Sequence, residues 1–226
     1  MKARGLFVTG TDTGVGKTRV AVALIHTLRA QGLRVAAMKP VSAGSVAGEL
    51  NEDVMALRQA ANVMADVRDV NPYAFEPAIA PHIAAEQAGV RIDLEMIAAA
   101  YARLAAMADV VVVEGAGGWR APLNEHEDMA DLAQRLGLPV VLVVGVRLGC
   151  LSHALLTAES VARRSLPWAG WIGNHIDPAM ASQAANIAAL RARLPGPCLG
   201  VQAFFPEPDL SMDAPQWLIL PKELAS

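Results

Sequence analysis

The chain has 226 residues, 54% of them apolar and only 4% aromatic, with a formal net charge of -3. That is enough apolar side chain for one large α/β domain spanning residues 1–226, and a core of Ala, Val and Leu suits helices packed on a parallel sheet. The mild negative charge argues against nucleic acid or an acidic membrane surface as a partner. Cys150 and Cys198 read as two reduced thiols rather than a disulfide. Met1-Lys2-Ala3-Arg4-Gly5 carries no signal-peptide apolar region or small-residue cleavage site. The longest apolar runs, residues 110–113 and 139–146, are strand-sized and too short to span a bilayer. The expectation is a soluble cytoplasmic protein.

In chain order, residues 6–9 read as a buried strand and 10–16 as a glycine-punctuated loop. Residues 17–30 form a helix with Ala21, Leu24, Ile25 and Leu28 on one face, closed by Gly32. A second strand covers 33–38 and stops at Pro40, a loop follows at 44–48, and 52–61 is helical. Pro72, Pro77 and Pro81 make 71–81 a loop. Asp93 caps a helix to Met107. The apolar run 109–113 reads as a central parallel strand, followed by Glu114-Gly115-Ala116-Gly117-Gly118. Helix 128–136, strand 139–146, helix 152–164, strand 168–173, helix 178–194 and strand 198–202 complete the alternation. The pattern predicts a doubly wound, mostly parallel α/β sheet with helices on both faces.

Three places carry chemistry. Gly10-Thr11-Asp12-Thr13-Gly14-Val15-Gly16-Lys17-Thr18 follows the first strand and opens a helix. Such a loop presents backbone N–H groups and a helix N-terminus to a phosphate, Lys17 reaches the outer phosphates, and the Thr18 hydroxyl suits Mg2+. Five residues rather than four separate Gly10 from Gly16, making a variant P-loop in which Gly14 absorbs the extra turn. The competing reading is a strand-to-helix turn with no ligand. Glu114 ends a buried run, at the carboxyl edge of the sheet where ligands bind, and could hold Mg2+ beside the P-loop. The bland alternative is a solvated glutamate, which four small residues in the next five positions speak against. Lys39 ends the second strand on the same edge. Spacing alone leaves open whether it stabilises a transferring phosphoryl group or decorates a turn. Asp53, beside Glu52, could simply favour a helix start.

These residues resemble the dethiobiotin synthetase family over nearly the whole chain. Residues 7–18, Lys39-Pro40-Val41, 113–119, Val146-Arg147-Leu148-Gly149-Cys150 with 153–157, and Trp171-Ile172-Gly173-Asn174 match its motifs in order. The resemblance implies ATP- and Mg2+-dependent carboxylation of 7,8-diaminononanoate with CO2 or bicarbonate. A carbamate is phosphorylated, and the neighbouring amine closes the cyclic urea. It implies that Thr18, Asp53 and Glu114 hold the metal, that Lys17 and Lys39 stabilise charge, and that Thr13, Gly14, Val15, Gly16, Lys17 and Thr18 cradle phosphates. It also implies nucleotide contacts at Gly115, Ala116, Gly117, Asn174, His175, Ala203, Phe204 and Phe205, with Asn174 reading the adenine edge. Substrate contacts fall to Thr13, Ser42, Ala43, Gly117, Gly149, Cys150, Leu151 and Ser152, with the segment 148–152 opening a helix at the boundary of a homodimer. The chain departs from the family at Ala43, where a hydroxyl is usual and Ser42 is displaced by one. It departs also at Ser152, usually Asn, and in Gly200-Val201-Gln202-Ala203, which lacks a proline.

His26 reads as packing or solvent-facing and His126 as exposed. His82 reads either as a pocket residue or as part of a helix start, and Trp119 as shaping the site or packing. The main rival is a partition or septum-site P-loop ATPase. Such switches usually carry a second lysine early in the loop, where Thr11, Asp12 and Thr13 stand here, and often a basic or amphipathic tail, whereas 218–226 is short and mixed in charge. A cobyrinate-type amidotransferase would need a glutaminase domain beyond this length.

Overall fold

A computed structural model describes residues 4–46, 48–205, 215–222 and 224. The reading of Met1 to Ala3, and part of that of 218–226, lies outside the described residues. Six strands form one all-parallel sheet: β1 (Arg4–Gly10), β2 (Val35–Met38), β5 (Val110–Glu114), β6 (Val140–Val146), β7 (Trp168–His175) and β8 (Cys198–Gln202), in the order β2-β5-β1-β6-β7-β8. The short strands β3 (Val41–Ala43) and β4 (Tyr73–Phe75) pair apart from it. Helices α1 (Lys17–Ala30), α2 (Glu52–Ala60), α3 (Val67–Val70), α4 (Pro81–Gln87), α5 (Leu94–Met107), α6 (Met129–Leu136), α7 (Cys150–Arg163) and α8 (Gln183–Arg193) join them.

The unbroken valine run of β5 follows from burial on both faces. Val110 and Val112 pack with Leu24, Ile25 and Leu28 of α1 and Leu57 of α2. Val111 and Val113 pack with Ile97 and Leu104 of α5 and Leu132 of α6. Beyond β6, Leu142 and Trp171 meet Ala154 and Ala158 of α7 and Leu190 of α8. The doubly wound reading therefore holds. Because every strand runs the same way, the carboxyl ends of β1, β2, β5, β6 and β7 share one edge, the edge at which open parallel sheets bind ligands.

Several local readings are corrected. Segment 71–81 is not one loop: Tyr73–Phe75 pairs in parallel with Val41–Ala43, and the Tyr73 and Phe75 rings stack 6.5 Å apart. Pro72 and Pro77 flank the strand without interrupting it, and Pro81 opens α4 at a position that needs no N–H donor. Helix α8 starts at Gln183 rather than 178, because Ser182 adopts φ 57, off the helical path. Helix α7 starts at Cys150, two residues earlier than expected, directly after Gly149 at φ 94. Strand β7 continues to His175, which carries Asn174 to the sheet edge.

Candidate active site

The loop between β1 and α1 is held by its neighbours. Thr11 N donates to Val143 O of β6 (3.0 Å), and Asn174 Nδ2 of β7 donates to Val15 O (2.9 Å). Gly16 has φ 88, and a Cβ there would lie 2.1 Å from Asn174 Nδ2, so only glycine permits the approach. No side chain caps α1, which leaves its first N–H groups for a ligand. Lys17 bends back, Nζ donating to Asp12 O at 3.0 Å.

Four side chains then meet, from α1, α2, β5 and the residue that follows β2. Lys39 Nζ donates to Asp53 Oδ2 (2.8 Å) and to Glu114 Oε1 (2.5 Å). Thr18 Oγ1 lies 2.7 Å from Asp53 Oδ1 and 2.9 Å from Glu114 Oε1, and its one hydroxyl proton can serve either. Lys39 is anchored through its backbone. Its N–H donates to Val70 O at the end of α3, and its carbonyl accepts from Asn71 Nδ2. Asn51 caps α2 by accepting from Asp53 N (3.0 Å), and so sets Asp53 in the first turn. Asp53 is thus both a favourable first-turn anion and a site residue.

Lys17, Lys39 and Glu114 are 6%, 4% and 0% exposed, so desolvation dominates their charges. Burial, with the Lys39 charge next, pulls the Lys17 ammonium down to about 8. For Lys39, burial acts downward but Glu114 and Asp53 outweigh it, and the ammonium is held above its ordinary value. For Asp53, burial acts upward but Lys39 outweighs it, and the carboxyl lies below its usual value. Burial raises the Glu114 carboxyl, and Lys39 only partly offsets this. Glu114 Oε2 is buried without a hydrogen-bond partner among the described residues. One hydroxyl and two carboxylates, with a buried carboxylate oxygen unpaired, form an all-oxygen donor set that fits Mg2+.

A cavity of about 900 Å³ opens from this floor, ample for a nucleotide and a second small molecule. Of the predicted residues, Thr13, Gly14, Gly16, Lys17, Thr18, Lys39, Ser42, Ala43, Asp53, Glu114, Ala116, Gly117, Asn174, His175, Phe204 and Phe205 line it. Val15 and Gly115 lie buried behind the wall, and Ala203 precedes the two phenylalanines. Ser42 is buried, and its hydroxyl donates to Asn71 Oδ1 (2.9 Å), so it does not replace the hydroxyl absent at Ala43. Gly149, Cys150, Leu151 and Ser152 are not brought to the cavity. They open α7, and Cys150 packs into the core beside Trp171. Asn174 gives one of its two amide N–H donors to the loop, and its carbonyl oxygen accepts no side-chain bond from the loop. Trp119 is structural: its ring meets Phe7 edge-on and its Nε1 donates to Ser160 Oγ.

Sequence reasoning missed Arg19, whose guanidinium lies 4.4 Å from the centre of the Phe205 ring, and the wall formed by Ile79, Ala80 and Pro81. No local signal marks Arg19. Asn51, also on the lining, was readable as a cap residue before Glu52-Asp53.

The phosphate loop, the lysine pair and the metal-type donor set on a parallel sheet define a P-loop nucleotide-binding protein, and an AAA domain family matches residues 4–205. The chain is 54% identical over 198 residues to the ATP-dependent dethiobiotin synthetase BioD of Nitrosospira multiformis, covering 88% of this chain and 87% of that protein. It is 48% identical over 225 residues to that of Xanthomonas oryzae pv. oryzae, covering 98% and 100%. The chain belongs to the ATP-dependent dethiobiotin synthetase family. Among solved structures, the MinC:MinD cell division protein complex of Aquifex aeolicus superposes with a TM-score of 0.58 at 16% identity, covering 90% of this chain and 82% of that one. That likeness shows the shared fold alone, and the septum-site reading gives way to the close relatives.

Proposed function

We propose that the chain converts 7,8-diaminononanoate, CO2 and ATP into dethiobiotin, ADP and phosphate, with residues 1–226 acting as one ATP-binding and catalytic domain. The observation that carries the reading is the convergence of Lys17, Lys39, Thr18, Asp53 and Glu114 at a phosphate loop on one cavity. One substrate amine adds to CO2, losing a proton and forming a carbamate. A carbamate oxygen attacks the terminal phosphorus of ATP and ADP leaves. The second amine then attacks the carbonyl carbon and loses a proton, phosphate departs, and the cyclic urea closes.

The difficulty lies in bringing an anionic, weak nucleophile to an anionic triphosphate. Thr13 to Thr18 would orient the phosphates through backbone N–H groups and the α1 N-terminus. Lys17 and Lys39 would offset charge on the carbamate and the moving phosphoryl group in a desolvated site, where such contacts are strong. Thr18, Asp53 and Glu114 would hold Mg2+, which when bound supplies Lewis-acid neutralisation of phosphate oxygens. Asn174, His175, Phe204 and Phe205 would receive the base.

We extend the proposal to a homodimer in the cytoplasm. Leu148, Leu155 and Leu156 leave an apolar surface on and before α7, 91%, 37% and 62% exposed. That surface adjoins the Gly149 to Ser152 segment, which would meet the substrate tail across the boundary. Both cysteines are free thiols, as suits a reducing compartment. Among the described residues no helix is long and apolar enough to cross a membrane.

Mass spectrometry after incubation with 7,8-diaminononanoate, ATP, Mg2+ and labelled bicarbonate tests the reaction. The expected product is a cyclic urea carrying the label. ATP consumption without it would sink the proposal.

A further inference from the structure

We infer that Arg147 is a positioning residue for the phosphate loop, neutralising and anchoring Asp12 and so tying the start of α7 to nucleotide binding. The inference rests on reading residues 10–18 as a phosphate loop. Asp12 is the one acidic residue in that segment. A carboxylate is an awkward neighbour for a triphosphate, because its field opposes the anion that the loop is built to receive.

The structure shows how that charge is held. Arg147 Nη2 donates to Asp12 Oδ2 at 2.6 Å, while Asp12 Oδ1 accepts the Thr13 N–H at 2.7 Å. Asp12 O receives the Lys17 ammonium at 3.0 Å. On the far side the chain closes in: a Cβ on Gly118 would stand 3.6 Å from Asp12 Cα. One guanidinium thus fixes the carboxylate that orients the loop backbone next to Lys17.

Arg147 also works in the other direction. It directly follows β6, and its carbonyl accepts the N–H of Cys150, the first residue of α7, at 3.0 Å. Side chain and backbone of one residue therefore join the phosphate loop to the start of α7. The paired side chains are 43% and 47% exposed, so the contact adds little to folding stability. Its effect falls on anion binding.

The test is ATP affinity by calorimetry on the full chain with Mg2+, for wild type, Arg147→Met, Asp12→Asn and the double variant. Arg147→Met leaves Asp12 charged and unpaired, and ATP affinity should fall roughly tenfold. The KM for ATP should rise more than kcat falls. Asp12→Asn keeps an oxygen for Thr13 N–H without the charge. The double variant should therefore recover to within about threefold of wild type, a strong coupling between the two positions. Unchanged thermal melting of Arg147→Met would show that the fold is intact. The inference is overturned if Arg147→Met binds ATP like wild type. It is equally overturned if the double variant stays as weak as Arg147→Met, because Arg147 would then act on the ligand directly. Failure of the wild-type chain to bind ATP would instead remove the phosphate-loop reading itself, and the wild-type titration separates the two failures.

Discussion

The two ends of the cavity are built on opposite principles. At the phosphate end, Lys17, Lys39 and Glu114 are almost fully buried; Lys39 and Glu114 are tied to one another, to Thr18 and to Asp53, and Lys17 to the Asp12 carbonyl. At the end proposed to receive the base, Phe204 and Phe205 are 39% and 45% exposed, and Phe205 is met by Arg19 through a cation–ring contact. A desolvated charge network has little slack, since removing one member leaves another buried and unpaired. Exposed apolar contact is graded, and losing part of it costs little. The chemistry should therefore be brittle and nucleotide recognition forgiving.

Lys39→Gln should break the brittle end most severely. Loss of one electrostatic contact to a developing charge costs about 3–4 kcal/mol, or roughly 10²–10³ in rate. Phosphate release at saturating substrates should fall by that factor while calorimetric ATP affinity changes much less. Equal losses in both would make Lys39 a nucleotide anchor, and full rate would make it a bystander. Glu114→Gln removes a hard anionic oxygen, and the Mg2+ concentration for half-maximal rate should rise roughly tenfold or more. An unchanged magnesium titration would dismiss Glu114 as a ligand.

A pH series sharpens the contrast. The Lys17 ammonium is lowered to about 8 by burial first and by Lys39 next. Between pH 8 and the ordinary lysine value, the unfolded chain holds this proton and the folded nucleotide-free chain does not. Lys17 therefore contributes stability that rises with pH across that window. ATP affinity should move the other way, because the loop loses a positive charge. Lys17→Met should flatten both trends, and parallel trends in wild type would contradict the assignment. The smallest effect belongs to the base end. Phe205→Ala should raise the KM for ATP about threefold, the scale of one exposed cation–ring contact, with kcat little changed. A hundredfold loss would show that this end is as rigid as the other.

How much of this could be read in the sequence depended on whether a group's partner lies nearby in the chain. The phosphate loop was legible because Gly14, Gly16, Lys17 and Thr18 act within one turn. Glu114 was legible because an unbroken valine run delivers it to a sheet edge. Lys39 stayed ambiguous on spacing, since its partners Asp53 and Glu114 are distant in sequence. The β3–β4 pair was missed for the same reason: three-residue strands carry almost no periodicity, and their pairing is non-local. Ser42 looked like a displaced replacement for the hydroxyl missing at Ala43. Only the contact with Asn71 reveals that its hydroxyl is already engaged.

The register of β1 carries a kinetic consequence. Val8 pairs with Glu114 on one side and with Val141 on the other, so both neighbours of the strand that launches the phosphate loop lie far along the chain from it. Such pairings close long loops before any contact rewards them, and they form slowly. During synthesis the first strand and helix must wait for β5 and β6 to emerge. The loop is then strapped by Asn174, which is made later still. Nucleotide binding is thus a late event in folding, available only to a chain whose first and last thirds have found each other.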